Sequence, residues 1–227
     1  MLQQHSKILT GILLILFITA SIVLFTAPVA LWITGLTKVN AGIFFASRLL
    51  IWGSLGVVFY YARFIEQQPM LLWKEAENNI LTYFLSVLAV LGVVYFGAGI
   101  IGGILYVITH SKGSAKLFEM VQFFKHNIPL LLFTAATAGV VEELIFRGYL
   151  QPRLELLFKN SWAAIIVSAL LFGLLHITYG TLSNVVIPIF IGLVFAWYYQ
   201  KFRNIKVLIA CHFLIDTISL FLLIKRH

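Results

Sequence analysis

The sequence predicts an all-α, polytopic bundle of about seven or eight membrane-crossing helices. Three observations carry that prediction. Of 227 residues, 61% are hydrophobic and only 11% charged, whereas a soluble domain carries roughly 25% charged residues. Mean hydropathy is +1.00. The apolar residues also fall into runs of about 20, the length that crosses a bilayer as a helix.

The first run extends from about Ile8 to Leu36, with Pro28 as a kink site. It is far longer than the roughly 7–15 apolar residues of a cleavable signal, and no A-x-A pattern closes it, so a retained first span is expected. The second run covers about Ala41 to Tyr61 and includes Arg48. The third, about Ile80 to Thr109, is long enough for a tilted helix or one broken near Gly97, Gly99, Gly102 and Gly103. Gly99 and Gly103 form a GxxxG pair, a sign of close helix packing. Residues 112 to 126 mix Lys112, Lys116, Glu119 and Lys125 with Leu117, Phe118, Val121 and Phe123, the pattern of an interfacial amphipathic segment. A fourth span follows from about Ile128 to Leu150, ahead of Pro152. The fifth runs from Trp162 to about Ile177, the sixth from Val185 to Tyr199 and the seventh from Ile205 to Ile224. No linker divides the chain, so residues 1–227 read as a single integral membrane domain.

The net charge is +8. Its basic residues sit mostly between the apolar runs, as in Lys201, Arg203 and Lys206, which is where interfacial anchors belong. Membrane lipid, and no nucleic acid, is the partner this pattern implies. Eight basic residues on one side of the expected spans against six on the other favour a cytoplasmic N-terminus. The single cysteine, Cys211, rules out an intrachain disulfide and a multi-cysteine zinc site.

Five of the eight acidic residues lie in or beside expected loops: Glu66, Glu75, Glu77, Glu119 and Glu155. The other three, Glu142, Glu143 and Asp216, are inside apolar runs. An ionisable group within a span costs on the order of 3 kcal/mol, so it is retained where it pairs or does chemistry. Glu143 and Arg147 are four apart and share a helix face, which suits an ion pair. Glu142 points about 100° away and cannot use that arginine equally well. One carboxylate is then free to act on water, as a general base that later returns the proton. A purely structural role for both glutamates accounts for this helix equally well. Phe172 and His176 are four apart in the fifth span, and His212 and Asp216 are four apart in the seventh. Asp216 can orient His212, ligate directly or clamp two helices. Together, Glu142, His176, His212 and Asp216 form a set able to bind zinc or another divalent ion, or to activate water without one. The soluble-hydrolase signatures HExxH and GxSxG and the Walker loop are absent.

Glu142-Glu143-x-x-x-Arg147, Phe172-x-x-x-His176 and His212-x-x-x-Asp216, in this order and in apolar spans, resemble the motifs of the CPBP family. That family includes CAAX prenyl endopeptidases, bacteriocin-processing and immunity proteins, and abortive-infection proteins. Its third motif commonly ends in asparagine, where this chain has Asp216. The resemblance implies an intramembrane endopeptidase with an active-site cavity within the membrane, a motif-bearing catalytic half at about residues 128–224, and a peptide or protein substrate near the membrane surface. Glu142 would activate water, Glu143 would pair with Arg147 or support the site, His176 would help hold the water or a metal, and His212 and Asp216 would complete the site or steady the oxyanion. It also implies a multi-pass protein of a bacterial inner or plasma membrane. A non-catalytic immunity or regulatory protein of the same fold is the alternative. A small proton-coupled transporter is a third reading, weakened by the lack of internal repeats.

One geometric demand follows. Glu142 lies about 14 residues into its expected span, and His176 about as far into the next, antiparallel one. At 1.5 Å per residue their heights in a ~30 Å slab differ by roughly 12 Å. A tilt, a kink or different span boundaries must close that gap.

Overall fold

The protein is described by a computed structural model that covers residues 2–111 and 113–226. Lys112, among the expected interfacial cations, lies outside the described residues. The architecture is all-α, with seven helices long and apolar enough to cross a membrane. This is an integral, multi-pass membrane protein.

Helix α1 (Leu2–Thr34) continues through Pro28, and α2 (Ala41–Tyr60) continues as a π-helical turn over Tyr61–Glu66. α3 (Ile80–Thr109) is one unbroken helix of 30 residues. At 1.5 Å per residue it is about 45 Å long, so it fits a ~30 Å hydrocarbon layer only when tilted. α4 (Ala115–Gln122) is the short amphipathic segment. Its Val121, with the neighbouring Phe124, is buried among Phe44, Leu130, Leu131 and Leu220. Helix starts are set by side-chain caps: Asn40, Asn79, Asn127 and Asn160 each accept a hydrogen bond from the amide three residues on, at 2.8–3.1 Å.

The fourth span departs from expectation. α5 (Ile128–Thr137) passes into π-helical stretches over Ala138–Glu142 and Leu144–Leu150, and then into α6 (Gln151–Phe158). The span therefore does not stop at Leu150. Pro152 sits in the first turn of α6, directly after the π-helical stretch, and the span continues through it. α7 (Ser161–Leu174) ends in a single 3₁₀ turn at Ile177–Tyr179, and α8 (Ser183–Phe202) and α9 (Ile205–Arg226) complete the chain.

The glycines of α3 act differently from the GxxxG reading. Gly99 and Gly103 face outward, with nothing of the protein within 4 Å of where a side chain would begin. Gly97 and Gly102 instead receive Phe190 and Ile187 of α8. The helix phase that places α3 against α8 turns the GxxxG pair towards lipid.

Glu66 also departs from its expected loop setting. It is buried at the end of α2, and its carboxylate accepts from Arg153 Nε at 2.9 Å and from the Tyr149 hydroxyl at 3.0 Å. Arg153 in turn donates to the carbonyls of Pro69 and Met70. Glu75 accepts from the Ile205 amide and the Tyr199 hydroxyl, both at 2.7 Å. These bonds strap the segment 67–79 across the ends of α6, α8 and α9.

Candidate active site

Three elements bring the site together: the π-helical middle of the fourth span, the C-terminal end of α7, and the middle of α9. The π turns redirect the side chains that follow them, since each adds a residue to the turn and rotates the face that the next residues present. Two glycines then allow close approach. A side chain at Gly139 would begin 3.0 Å from the Ile209 carbonyl oxygen and 3.1 Å from the Phe213 amide nitrogen, so α9 rests backbone-to-backbone on the fourth span. At Gly173 it would begin 3.0 Å from the Val185 carbonyl oxygen, which brings α8 against α7.

Glu143 is the hub of the buried part. Its Oε1 accepts from Arg147 Nη1 at 3.2 Å and from His212 Nδ1 at 2.8 Å. Glu143 and Arg147 are fully buried, and Arg147 Nη2 also donates to the Gly192 carbonyl at 3.3 Å. The expected Glu143–Arg147 pair is therefore present. The tie from Glu143 to His212 adds a second partner, from α9, that the spacing along the fourth span does not specify. Of the roles open to Asp216, orienting His212 through a hydrogen bond is not the one seen: its Oδ2 stands 3.8 Å from Nε2, an ion-pair distance too long for a hydrogen bond. Glu143 orients the ring instead.

The ring of Phe172 packs against the whole group. Its centroid lies 4.4 Å from the Arg147 guanidinium carbon, 5.3 Å from His176 and 5.9 Å from His212. His176 Nδ1 lies 3.1 Å from the Phe172 carbonyl. A carbonyl only accepts, so Nδ1 carries the proton in that bond. The same reasoning applies to His212 Nδ1 against Glu143. In the neutral form of each ring the lone pair is then on Nε2.

Glu142 is only half-buried, and its charge is felt by Arg48, Tyr179, His212 and Asp216. Asp216 is felt in common with Glu142, His176, His212 and Glu143. The depth gap closes because the fourth span is longer than expected. Counted from Asn160 in the turn between α6 and α7, Glu142 is 18 residues back and His176 16 residues forward. Two residues correspond to about 3 Å of height. The donor types suit zinc, yet among the described residues no three His, Cys, Asp or Glu groups stand together as a metal-holding set. An apolar groove of about 610 Å³, bordered by Trp162, Ile165 and Trp197, lies at the far end of α7 from His176 and belongs to the lipid face.

All three motifs lie within residues 124–218, which match the family model described as type II CAAX prenyl endopeptidase Rce1-like. Over that segment the chain is similar to the Rce1-like CAAX proteases. It is also 26% identical over 134 residues to a Bacillus subtilis (strain 168) protein named "Putative membrane peptidase YdiL". That alignment covers 55% of this chain and 50% of the relative, so the match spans about half the length of the curated protein. No solved structure matches the chain. The matched segment begins after α1 to α4, so Arg48 and Tyr61 belong to the part of the chain that the family model does not reach.

Proposed function

We propose that this protein is an intramembrane endopeptidase that hydrolyses a peptide bond of a membrane-associated peptide or protein, with Glu142 as the base that activates water. The observation that carries this reading is the division of the two adjacent glutamates. Glu143 is engaged by Arg147 and His212. Glu142 has no hydrogen-bond or ion-pair partner among the described residues, and its charge faces His212 and Asp216. The residues from about 128 to 224 form the catalytic half of one membrane domain.

In this reaction Glu142 takes a proton from water as the water oxygen bonds to the peptide carbonyl carbon. The carbonyl π pair moves onto oxygen, giving a tetrahedral oxyanion. His176 Nε2 accepts from the water and holds it for attack. His212, steadied by Glu143 through Nδ1, and the neighbouring Asp216 complete the site on the α9 side, where the oxyanion forms. When the intermediate collapses the C–N bond breaks, and the proton held by Glu142 passes to the leaving amine. A positioned general base contributes about 10²–10⁴-fold. The donor set does not close around a metal, and the chemistry above uses only side chains of this chain.

The test is cleavage of a peptide library by the full chain in liposomes, read by mass spectrometry, for the parent and for Glu142→Ala and His176→Ala. The proposal expects cleavage by the parent and loss in both variants. Equal cleavage by both variants would overturn the site, and a folded parent that cleaves nothing would favour a non-catalytic membrane protein of this fold. Metal analysis with and without chelator tests for a bound ion.

A further inference from the structure

Arg48 lies in the middle of an apolar helix, outside the segment that matches the family. A cation there needs an anionic or hydrogen-bonding partner, and its immediate contacts supply little. Nε and Nη2 donate to the Ser47 hydroxyl at 3.2 and 3.1 Å, and the guanidinium stacks on the Phe44 ring at 4.6 Å. Among the described residues no carboxylate is within ion-pair distance of it.

Its placement explains why it is there. α2 is held against the fourth span by Trp52, whose indole N–H donates to the Thr137 hydroxyl at 3.0 Å, and by Phe45 stacked on Phe133 at 5.3 Å. Arg48 is one turn from both Phe45 and Trp52, so it faces the same gap. The groups near enough to act on it electrostatically are the carboxylates of Glu142 and Asp216 and the phenol of Tyr179, from three other elements. The charge count of the site points the same way. Arg147 is matched to Glu143, which leaves Glu142 and Asp216 without a permanent counter-charge. An ionised carboxylate accepts hydrogen bonds and cannot donate to an oxyanion. Arginine is charged at every working pH and presents several donors in a fixed fork.

We propose that Arg48 is a catalytic residue of this site: it balances Glu142 and Asp216 from the α2 side and donates to the carbonyl oxygen as negative charge develops on it. The proposal rests on the hydrolytic reading for its second half only. The balance of Arg48 with Glu142 stands independently of turnover.

Two measurements on the full chain test it. In liposomes, with a peptide cleaved by the parent, Arg48→Gln lowers kcat by about 10²–10³-fold, the usual effect of removing one oxyanion donor, while KM changes little. Arg48→Lys, which keeps the charge, recovers part of the rate. In detergent, thermal unfolding of Arg48→Gln, Glu142→Gln and the double variant forms a cycle. The double variant loses less Tm than the sum of the single losses. Parental kcat in Arg48→Gln would overturn the oxyanion role. Strictly additive Tm losses would overturn the charge balance with Glu142. Should the parent cleave nothing, the hydrolytic reading falls, and the Tm cycle still decides whether Arg48 balances Glu142.

Discussion

Gly139→Ala perturbs the site without touching any of its polar groups. The added methyl begins 3.0 Å from the Ile209 carbonyl oxygen, 3.1 Å from the Phe213 amide nitrogen and 3.4 Å from Phe213 Cα. Comfortable heavy-atom contact is at about 3.5 Å or beyond. All three neighbours are backbone atoms of α9, so no side chain can rotate away, and α9 must withdraw by a few tenths of an ångström. The Glu143–His212 bond bridges that same interface at 2.8 Å, and the withdrawal stretches and weakens it. Overpacking of this kind costs about 1–3 kcal/mol. A displacement of about 1 Å in a catalytic group costs on the order of 10²-fold in rate. The expected result is a modest fall in Tm with a fall in kcat of about tenfold to a hundredfold. The assay is peptide cleavage in liposomes beside thermal unfolding in detergent. Parental kcat and Tm together would refute the claim that Gly139 sets the approach of α9.

Three further predictions concern the scaffold. Glu143→Gln keeps an oxygen that can accept from His212 but removes the charge facing buried Arg147. Breaking a buried pair in this way costs about 3–5 kcal/mol, and Arg147→Met on the same background recovers most of the Tm; additive losses would argue against the pair. Gly97→Ala lowers Tm because its methyl meets the Phe190 ring, whereas Gly99→Ala leaves Tm unchanged or raised; equal losses would restore the GxxxG pair as the packing face. Glu66→Gln weakens the hold of Arg153 on Pro69 and Met70, and amide exchange across residues 67–79 speeds up, while unchanged exchange would mean that the strap rests on Glu75 alone.

Much of the bundle was legible because lipid imposes a simple rule: a spanning helix must be long and apolar, and this sequence has seven such runs. The ends were less legible. Pro152 reads as a stop, and only the π-helical register before it explains why the helix continues. That error produced the apparent mismatch in depth between Glu142 and His176. The spacing of Glu143 and Arg147 disclosed their pair, because both lie on one helix. The link from Glu143 to His212 joins residues 69 apart and depends on the close approach at Gly139, which no local pattern specifies. Glu66 looked like a loop residue because its partner, Arg153, lies 87 residues away. Arg48 did carry a signal, since a cation within an apolar span requires an explanation, but its facing groups come from three other elements.

The central claim is that the two adjacent glutamates have different work, Glu142 in chemistry and Glu143 in holding the site together. Glu142→Gln tests it most directly, because the amide keeps the shape and cannot take the proton from water. With a peptide that the parent cleaves, the variant should remain folded in liposomes while kcat falls by about 10²–10⁴-fold. A folded Glu142→Gln protein that cleaves at the parental rate would contradict the account.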